Sequence, residues 1–255
     1  MHRIVSKTAL GKDAYLLSVE APHISKAKPG QFVMLQKSPT SEPIPISVLE
    51  THPKGFTCFV KVVGRSTLEL VEEGEEVFYV AGPLGKPFPV ESYGRVVFYT
   101  KDWGIAPAIN VAKALREKNE ELYLFHEGQE LYLEEKVKEA FTSYKVVQEI
   151  ERLEADLIVC AGSNALCKKV SQVYKDKPVV GMVSVHMLDA VGLCLVCRVL
   201  VEGSYRLACS EGPWFDAHKV DWDNLISREG MYAQEERTAY EEYLKLLKRR
   251  ALRQA

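Results

Sequence analysis

The chain has 255 residues, 47% hydrophobic and 27% charged, which are the proportions of one large or two smaller globular domains and exclude general disorder. Lysine and arginine (33) nearly balance aspartate and glutamate (35), and a net charge of −2 offers no global positive field for nucleic acid or an anionic membrane. No apolar run approaches the roughly 18 residues that span a bilayer, and the opening MHRIVSKTALGKDAY lacks an apolar signal region, so a soluble cytoplasmic protein is expected.

The first ninety residues read as β structure. HRIVSKTAL and AYLLSVEAP flank a turn at Gly11 and Lys12, QFVMLQ follows Pro29 and Gly30, and PIPISVLE, GFTCFVKVVG and EEVFYVAG supply further short strands. One short helix is expected, at STLELVEEG. Turn signals at intervals of about ten to fifteen residues predict an antiparallel barrel or sandwich.

Near Gly94 the pattern changes to alternation of strand and helix. RVVFYT, ELYLFHEG, ADLIVCAG and PVVGMVSV read as strands, and APAINVAKALREKNE, LEEKVKEAF and NALCKKVSQVY as helices. Such alternation predicts a parallel sheet covered by helices, with ligands at the carboxyl ends of its strands. Two ends stand out, residues 100–107 and 160–164. A cysteine-rich segment follows residue 185. The last stretch, EERTAYEEYLKLLKRRALRQ, reads as a helix with Tyr240, Tyr243, Leu244 and Leu247 on one face. Packing on its own chain and docking to a partner are both open to that face.

Six cysteines are present. Cys58, Cys160 and Cys167 stand in apolar or helical contexts and read as buried small hydrophobes. Cys194 and Cys197 form C-x2-C, and Cys209 returns after eleven residues through VLVEGSYRLAC, a hairpin turning at Gly203 and Ser204. Three thiolates so placed can close on a zinc ion or an iron–sulfur cluster. A fourth ligand would come from Asp189 or His186. Spacing alone leaves the two metals, and unliganded cysteines, open.

Barrel, α/β half and cysteine cluster together resemble the ferredoxin–NADP reductase superfamily. Within it, the chain resembles the branch of the dihydroorotate dehydrogenase electron-transfer subunit and the small subunits of NADH-dependent reduced ferredoxin:NADP oxidoreductase and sulfide dehydrogenase. The tail CSEGPWFDAHKVDWDNLISREGMYAQEE carries the most specific similarity. The resemblance implies an FAD-binding Greek-key β barrel over residues 1–93, a Rossmann-like NAD(P)-binding α/β domain over 94–184, a 2Fe–2S domain over 185–228 and a terminal helix over 229–255. It also implies a 2Fe–2S cluster on Asp189, Cys194, Cys197 and Cys209, an aspartate holding the first ligand position as in the ferredoxin:NADP oxidoreductase branch.

For FAD, the resemblance points to three motifs. The first is the strand-end Pro45, Ile46 and Ser47, although PIPIS lacks the arginine of relatives. The second is Val63, Gly64, Arg65, Ser66 and Thr67, opening a helix, with Arg65 a substitute for the missing charge. The third is the turn Gly82, Pro83, Leu84 and Gly85. The nucleotide loop departs from the family's glycine-rich form. Thr100, Lys101 and Asp102 precede Trp103, Gly104, Ile105, Ala106 and Pro107, so only the GIAP end survives. Side chains fill positions where glycines let backbone approach a phosphate. A second nucleotide motif is kept around Gly162.

The resemblance implies an electron-transfer flavoprotein subunit, linking FAD through the 2Fe–2S cluster to a larger flavin and iron–sulfur subunit. Two readings of the nucleotide site follow: NAD(P)(H) binds in an altered pose, or the pocket is blocked and the chain is a relay or assembly subunit. Trp103 then lies against the flavin or merely packs. A zinc-stabilised interaction module is a third reading. No side-chain acid or base is required, so no catalytic residue is expected.

Overall fold

Strands β1 (His2–Ala9) and β2 (Ala14–Glu20) form the hairpin around Gly11. Residues 1–254 are described in this computed structural model. β3 (Phe32–Gln36), β4 (Ile44–Ser47), β5 (Glu50–His52), β6 (Gly55–Lys61), β7 (Glu76–Val77) and β8 (Tyr79–Leu84) complete two antiparallel sheets, ordered β5-β6-β2-β1-β7 and β4-β3-β8. Their inner faces bury Leu17, Val19, Val33, Leu35, Phe56 and Val60, as period-two alternation requires. Helix α1 (Arg65–Glu72) adds Leu68, Leu70 and Val71 to that core.

β9 (Arg95–Lys101) begins the second half, and its five central residues are buried, the run a strand needs when helices cover both faces. α2 (Ile105–Leu115), β10 (Glu121–Glu127), α3 (Glu134–Ala140), β11 (Ser143–Val147), β12 (Leu157–Ala161), α4 (Asn164–Val173) and β13 (Val179–Met182) follow. The sheet order is β11-β10-β9-β12-β13, all parallel, so the chain winds outward from β9 on one side and then the other. The crevice between the carboxyl ends of β9 and β12 is therefore the topological switch point. Pro107 sits in the first turn of α2, where its missing N–H costs nothing.

β14 (Arg198–Val201) and β15 (Ser204–Leu207) form the expected hairpin. β16 (Trp214–Asp216) then joins the large sheet antiparallel to β13, and α5 (Trp222–Glu229) and α6 (Ala233–Gln254) close the described chain. Three elements were not foreseen from sequence. β11 is an edge strand with mostly exposed side chains, β16 has three residues, and α5 lies within the cysteine-rich segment.

A further core is shared between the halves. It unites Phe32 and Met34 of the barrel with Tyr99, Cys160 and Tyr174 of the α/β half and Cys197 and Cys209 of the cysteine segment. Trp214 ties all three together. Its Nε1–H donates to the Gly30 carbonyl at 2.9 Å, and its ring meets Phe88 edge-on at 5.2 Å. A Cβ on Gly30 would lie 2.6 Å from that nitrogen, which is why glycine stands there. The α6 face packs on its own chain: Tyr243 enters the barrel core with Tyr240, Leu244 and Leu247 around it.

Candidate functional site

The cysteine loop coils tightly because Ala190, Gly192 and Leu195 all adopt left-handed backbone. Asp189 organises it. Its carboxylate accepts the N–H groups of Val191 (2.9 Å), Leu193 (3.1 Å) and Cys194 (2.5 Å). Those amides, that of Val191 first, hold the Asp189 carboxyl below the usual carboxylate range. The same carboxylate lies against the Cys194 side chain. Cys197 and Cys209 are buried and lie against each other; burial first, then the Cys197 thiol, pushes the Cys209 thiol up to about 11. His186 is elsewhere engaged, at 3.2 Å from Glu236 and edge-on to Tyr232.

Among the described residues, no three His, Cys, Asp or Glu side chains are arranged to hold one ion. Instead the candidates fall into two pairs, Asp189 with Cys194 and Cys197 with Cys209. A two-iron cluster takes two protein ligands on each iron, and two such pairs are compatible with that donor set. Around the loop Leu188, Val191, Leu193 and Leu195 are exposed, Leu193 by 82%.

The residues expected at a flavin fall on three separate elements of the barrel. Pro45, Ile46 and Ser47 lie on β4, the edge of the small sheet; an edge tolerates Pro45, which has no N–H to give. Val63 and Gly64 precede α1, and both donate their N–H to Thr67 Oγ1, at 3.0 and 3.1 Å. The next N–H groups, of Arg65, Ser66 and Thr67, are first-turn orphans without a protein acceptor among the described residues. A Cβ on Gly64 would meet nothing within 4 Å, so the helix start faces open space. Such an end suits an anionic diphosphate. The Arg65 guanidinium is turned along its own helix, to Glu69 at 2.6 Å and over the Tyr243 ring.

The turn of Gly82, Pro83, Leu84 and Gly85 is a packing element as well. Gly85 has φ +77°, and a Cβ there would lie 2.9 Å from Phe32 Cε1 and Pro213 Cδ. Its N–H donates to the Cys209 carbonyl at 3.1 Å, and its carbonyl accepts from Gln31 Nε2 at 2.7 Å. The turn after β8 and the cysteine hairpin are thus joined by one hydrogen bond. Sequence reading missed this link, because no residue type encodes a backbone contact across 124 positions.

At the switch point the loops after β9 and β12 pack closely on each other. Asp102, Trp103 and Gly104 form a 3-10 turn, and the Ile105 N–H, which opens α2, is taken by the carbonyls of Asp102 and Trp103. A Cβ on Gly104 would lie 2.1 Å from the Ala161 oxygen, and one on Gly162 2.6 Å from the Lys101 oxygen. Both glycines therefore serve the packing of one loop on the other. Asp102, left-handed at φ 48°, pairs with Lys61 of β6 at 2.9 Å, while Lys101 pairs with Glu127 at 2.6 Å. Trp103 is half-buried against a core containing Phe59 and Leu49 of the barrel. The two loops meet as sequence predicted; Lys61 is the partner it did not disclose.

A barrel, a 3-2-1-4-5 parallel sheet and a thiol hairpin define a ferredoxin-reductase-type fold with an iron–sulfur binding segment. Residues 185–221 match the family of the iron–sulfur cluster binding domain of dihydroorotate dehydrogenase B. The chain belongs to the family of dihydroorotate dehydrogenase B electron-transfer subunits and their homologues. It is 32% identical to the "electron transfer subunit homolog" of Thermotoga maritima, covering 96% of each chain. It is 30% identical to the electron transfer subunit of dihydroorotate dehydrogenase B (NAD(+)) from Clostridium perfringens, over 86% of this chain and 97% of that one. Among solved structures, a chain of the NADH-dependent reduced ferredoxin-NADP oxidoreductase superposes with a TM-score of 0.87 at 29% identity, covering 96% and 98%.

Proposed function

We propose that this protein is the electron-transfer flavoprotein subunit of a multi-subunit oxidoreductase, carrying FAD on the barrel and a 2Fe–2S cluster on Asp189, Cys194, Cys197 and Cys209. The observation that supports this is the hydrogen bond from the Gly85 N–H to the Cys209 carbonyl at 3.1 Å, which joins the turn proposed for the flavin to the hairpin proposed for the cluster. When bound, FAD exchanges electrons in pairs or singly and the cluster exchanges them one at a time. The residues would bind and orient: the orphan amides of α1 and the hydroxyl of Ser66 would hold the FAD diphosphate, and Ile46 and Ser47 of the β4 edge would contact the flavin. Cys197 and Cys209, both buried, would shield the cluster from water, while Cys194 is exposed.

The partner is a larger flavin and iron–sulfur subunit. Leu188, Val191, Leu193 and Leu195, unusual as exposed neighbours, form its apolar footing beside the cluster loop. Among the described residues no helix is long and apolar enough to cross a membrane. Six free cysteines, with no disulfide among them, fit a reducing cytoplasm, and the near-neutral charge offers nucleic acid no binding field.

A second reading concerns the nucleotide. The bridge of Lys61 and Asp102 and the capped start of α2 favour a relay whose electrons enter and leave through protein partners, without NAD(P)(H) at the switch point. Anaerobic titration of the protein, purified with any partner, decides between them by visible absorbance. Bleaching by NADH or NADPH establishes a working nucleotide site and names the nucleotide. Bleaching by dithionite alone establishes the relay. A colourless protein containing zinc sinks both readings.

A further inference from the structure

Two guanidinium groups hold the far side of the cysteine loop. Arg228 of α5 donates from Nη1 to the Arg198 carbonyl at 2.7 Å and from Nη2 to the Val196 carbonyl at 3.0 Å. Arg198 Nη1 donates to the Leu195 carbonyl at 3.3 Å. Carbonyls on both sides of Cys197 are thus drawn toward positive charge. A trans peptide is planar, and its N–H points opposite to its C=O. Pinning the Leu195 and Val196 carbonyls therefore turns the N–H groups of Val196 and Cys197 to the other side of the loop. Neither N–H has a protein acceptor among the described residues, nor has that of Leu195, whose φ of 57° curls the backbone. Successive free amides around a left-handed residue form a concave anion-binding nest.

The placement of Arg228 is not needed for neutralisation. Among the described residues no acidic side chain pairs with it, and its Nε is buried without a partner. A cation kept half-buried, bonded only to loop carbonyls, is explained if the loop must hold one peptide orientation.

We propose that Arg228 and Arg198 are positioning residues that turn the Val196 and Cys197 N–H groups toward the cluster and thereby favour its reduced form. Reduction adds one negative charge to the cluster, and amide donors and a nearby guanidinium stabilise that charge. This rests on the cluster assignment made above.

Reductive titration of the cluster-loaded protein, followed by EPR and visible absorbance, tests the role. Arg228→Gln should weaken reduction of the cluster about tenfold, equivalent to about 59 mV for a one-electron couple. Arg198→Gln, which releases one carbonyl, should weaken it about threefold, on the order of 30 mV by the same relation. Lys219→Gln removes the same charge without touching the loop, as Lys219 pairs with Glu202, and should leave the potential unchanged. An unchanged potential in Arg228→Gln at full iron content overturns the proposal, and so does an equal fall in Lys219→Gln. Should Arg228→Gln fail to retain iron, Arg198→Gln decides alone, and an unchanged potential there overturns the role. Absence of iron from the unmodified protein would instead overturn the cluster assignment.

Discussion

The Gly85 N–H donates to the Cys209 carbonyl at 3.1 Å, joining the turn after β8 to the last cysteine of the loop. The contact is possible because Gly85 adopts φ +77° and no Cβ intervenes between Phe32 and Pro213. Gly85→Ala should cost about 2 kcal/mol, from left-handed strain and local overpacking. Thermal unfolding should show a fall in Tm of about 5 °C, with weaker flavin retention. An unchanged Tm would mean that the turn relaxes freely and the contact is incidental.

Asp102→Gly removes both the partner of Lys61 and a side chain from the switch point. Glycine also accepts the φ of 48° without strain. If this residue obstructs the crevice, nucleotide-driven bleaching should rise at least about tenfold, equivalent to about 1.4 kcal/mol of barrier. Stopped-flow absorbance with NADH and NADPH measures it. No gain would place the obstacle elsewhere, in Trp103 or in the capped start of α2.

Iron content should separate the six cysteines. Cys197→Ser or Cys209→Ser should lose or destabilise the cluster, whereas Cys58→Ser should keep full iron. Cys58 lies in the barrel core, and burial pushes its thiol up to about 12, far from thiolate character. Asp189→Cys should keep the cluster and change its EPR spectrum. An identical spectrum would leave Asp189 only its loop-capping role, with three backbone N–H groups on its carboxylate.

His126 supplies a pH dependence. It is buried and bonded to Thr100 Oγ1 at 2.8 Å, and burial lowers its pKa below the ordinary 6.5 despite the nearby Asp102. The unfolded chain therefore binds a proton before the folded one does. Stability from this group is complete above pH 6.5 and declines as pH falls from there through the folded-state value. His126→Gln should flatten that limb in urea unfolding measured from pH 7.5 down to about 5. An equally steep limb would assign the dependence to other groups.

Tyr243 anchors α6. Its ring is 5% exposed, and its hydroxyl donates to Glu73 Oε1 at 2.7 Å. Tyr243→Ala should cost about 3 kcal/mol, and Tyr243→Phe about 1 kcal/mol by leaving the Glu73 carboxylate without that donor. Denaturant midpoints read both. Equal effects would show that the hydroxyl, not the ring, holds the helix.

Much of this protein was legible in its residues. Alternation in AYLLSVE and the buried run RVVFYT specified barrel and parallel sheet, because strand burial imposes its period on composition. The spacing of Cys194, Cys197 and Cys209 singled out a thiol-rich loop, and the match of residues 185–221 to an iron–sulfur binding domain falls on it; Asp189 as fourth ligand came from the resemblance alone. The packing role of Gly104 and Gly162 was not legible in the sequence: each admits the other loop's backbone, a contact no residue type encodes.

Tertiary structure alone decided the relations between distant segments. It paired Lys61 with Asp102, set Gly85 on Cys209, brought Arg228 under the cysteine loop and drew Tyr243 into the barrel. It also set Asp189 beside Cys194 and Cys197 beside Cys209. These contacts join backbone groups or single side chains across long separations, and they leave no periodicity in the chain. Local sequence determines which elements form and which chemistry they carry. Only the shared burial of three cores determines which of those elements touch.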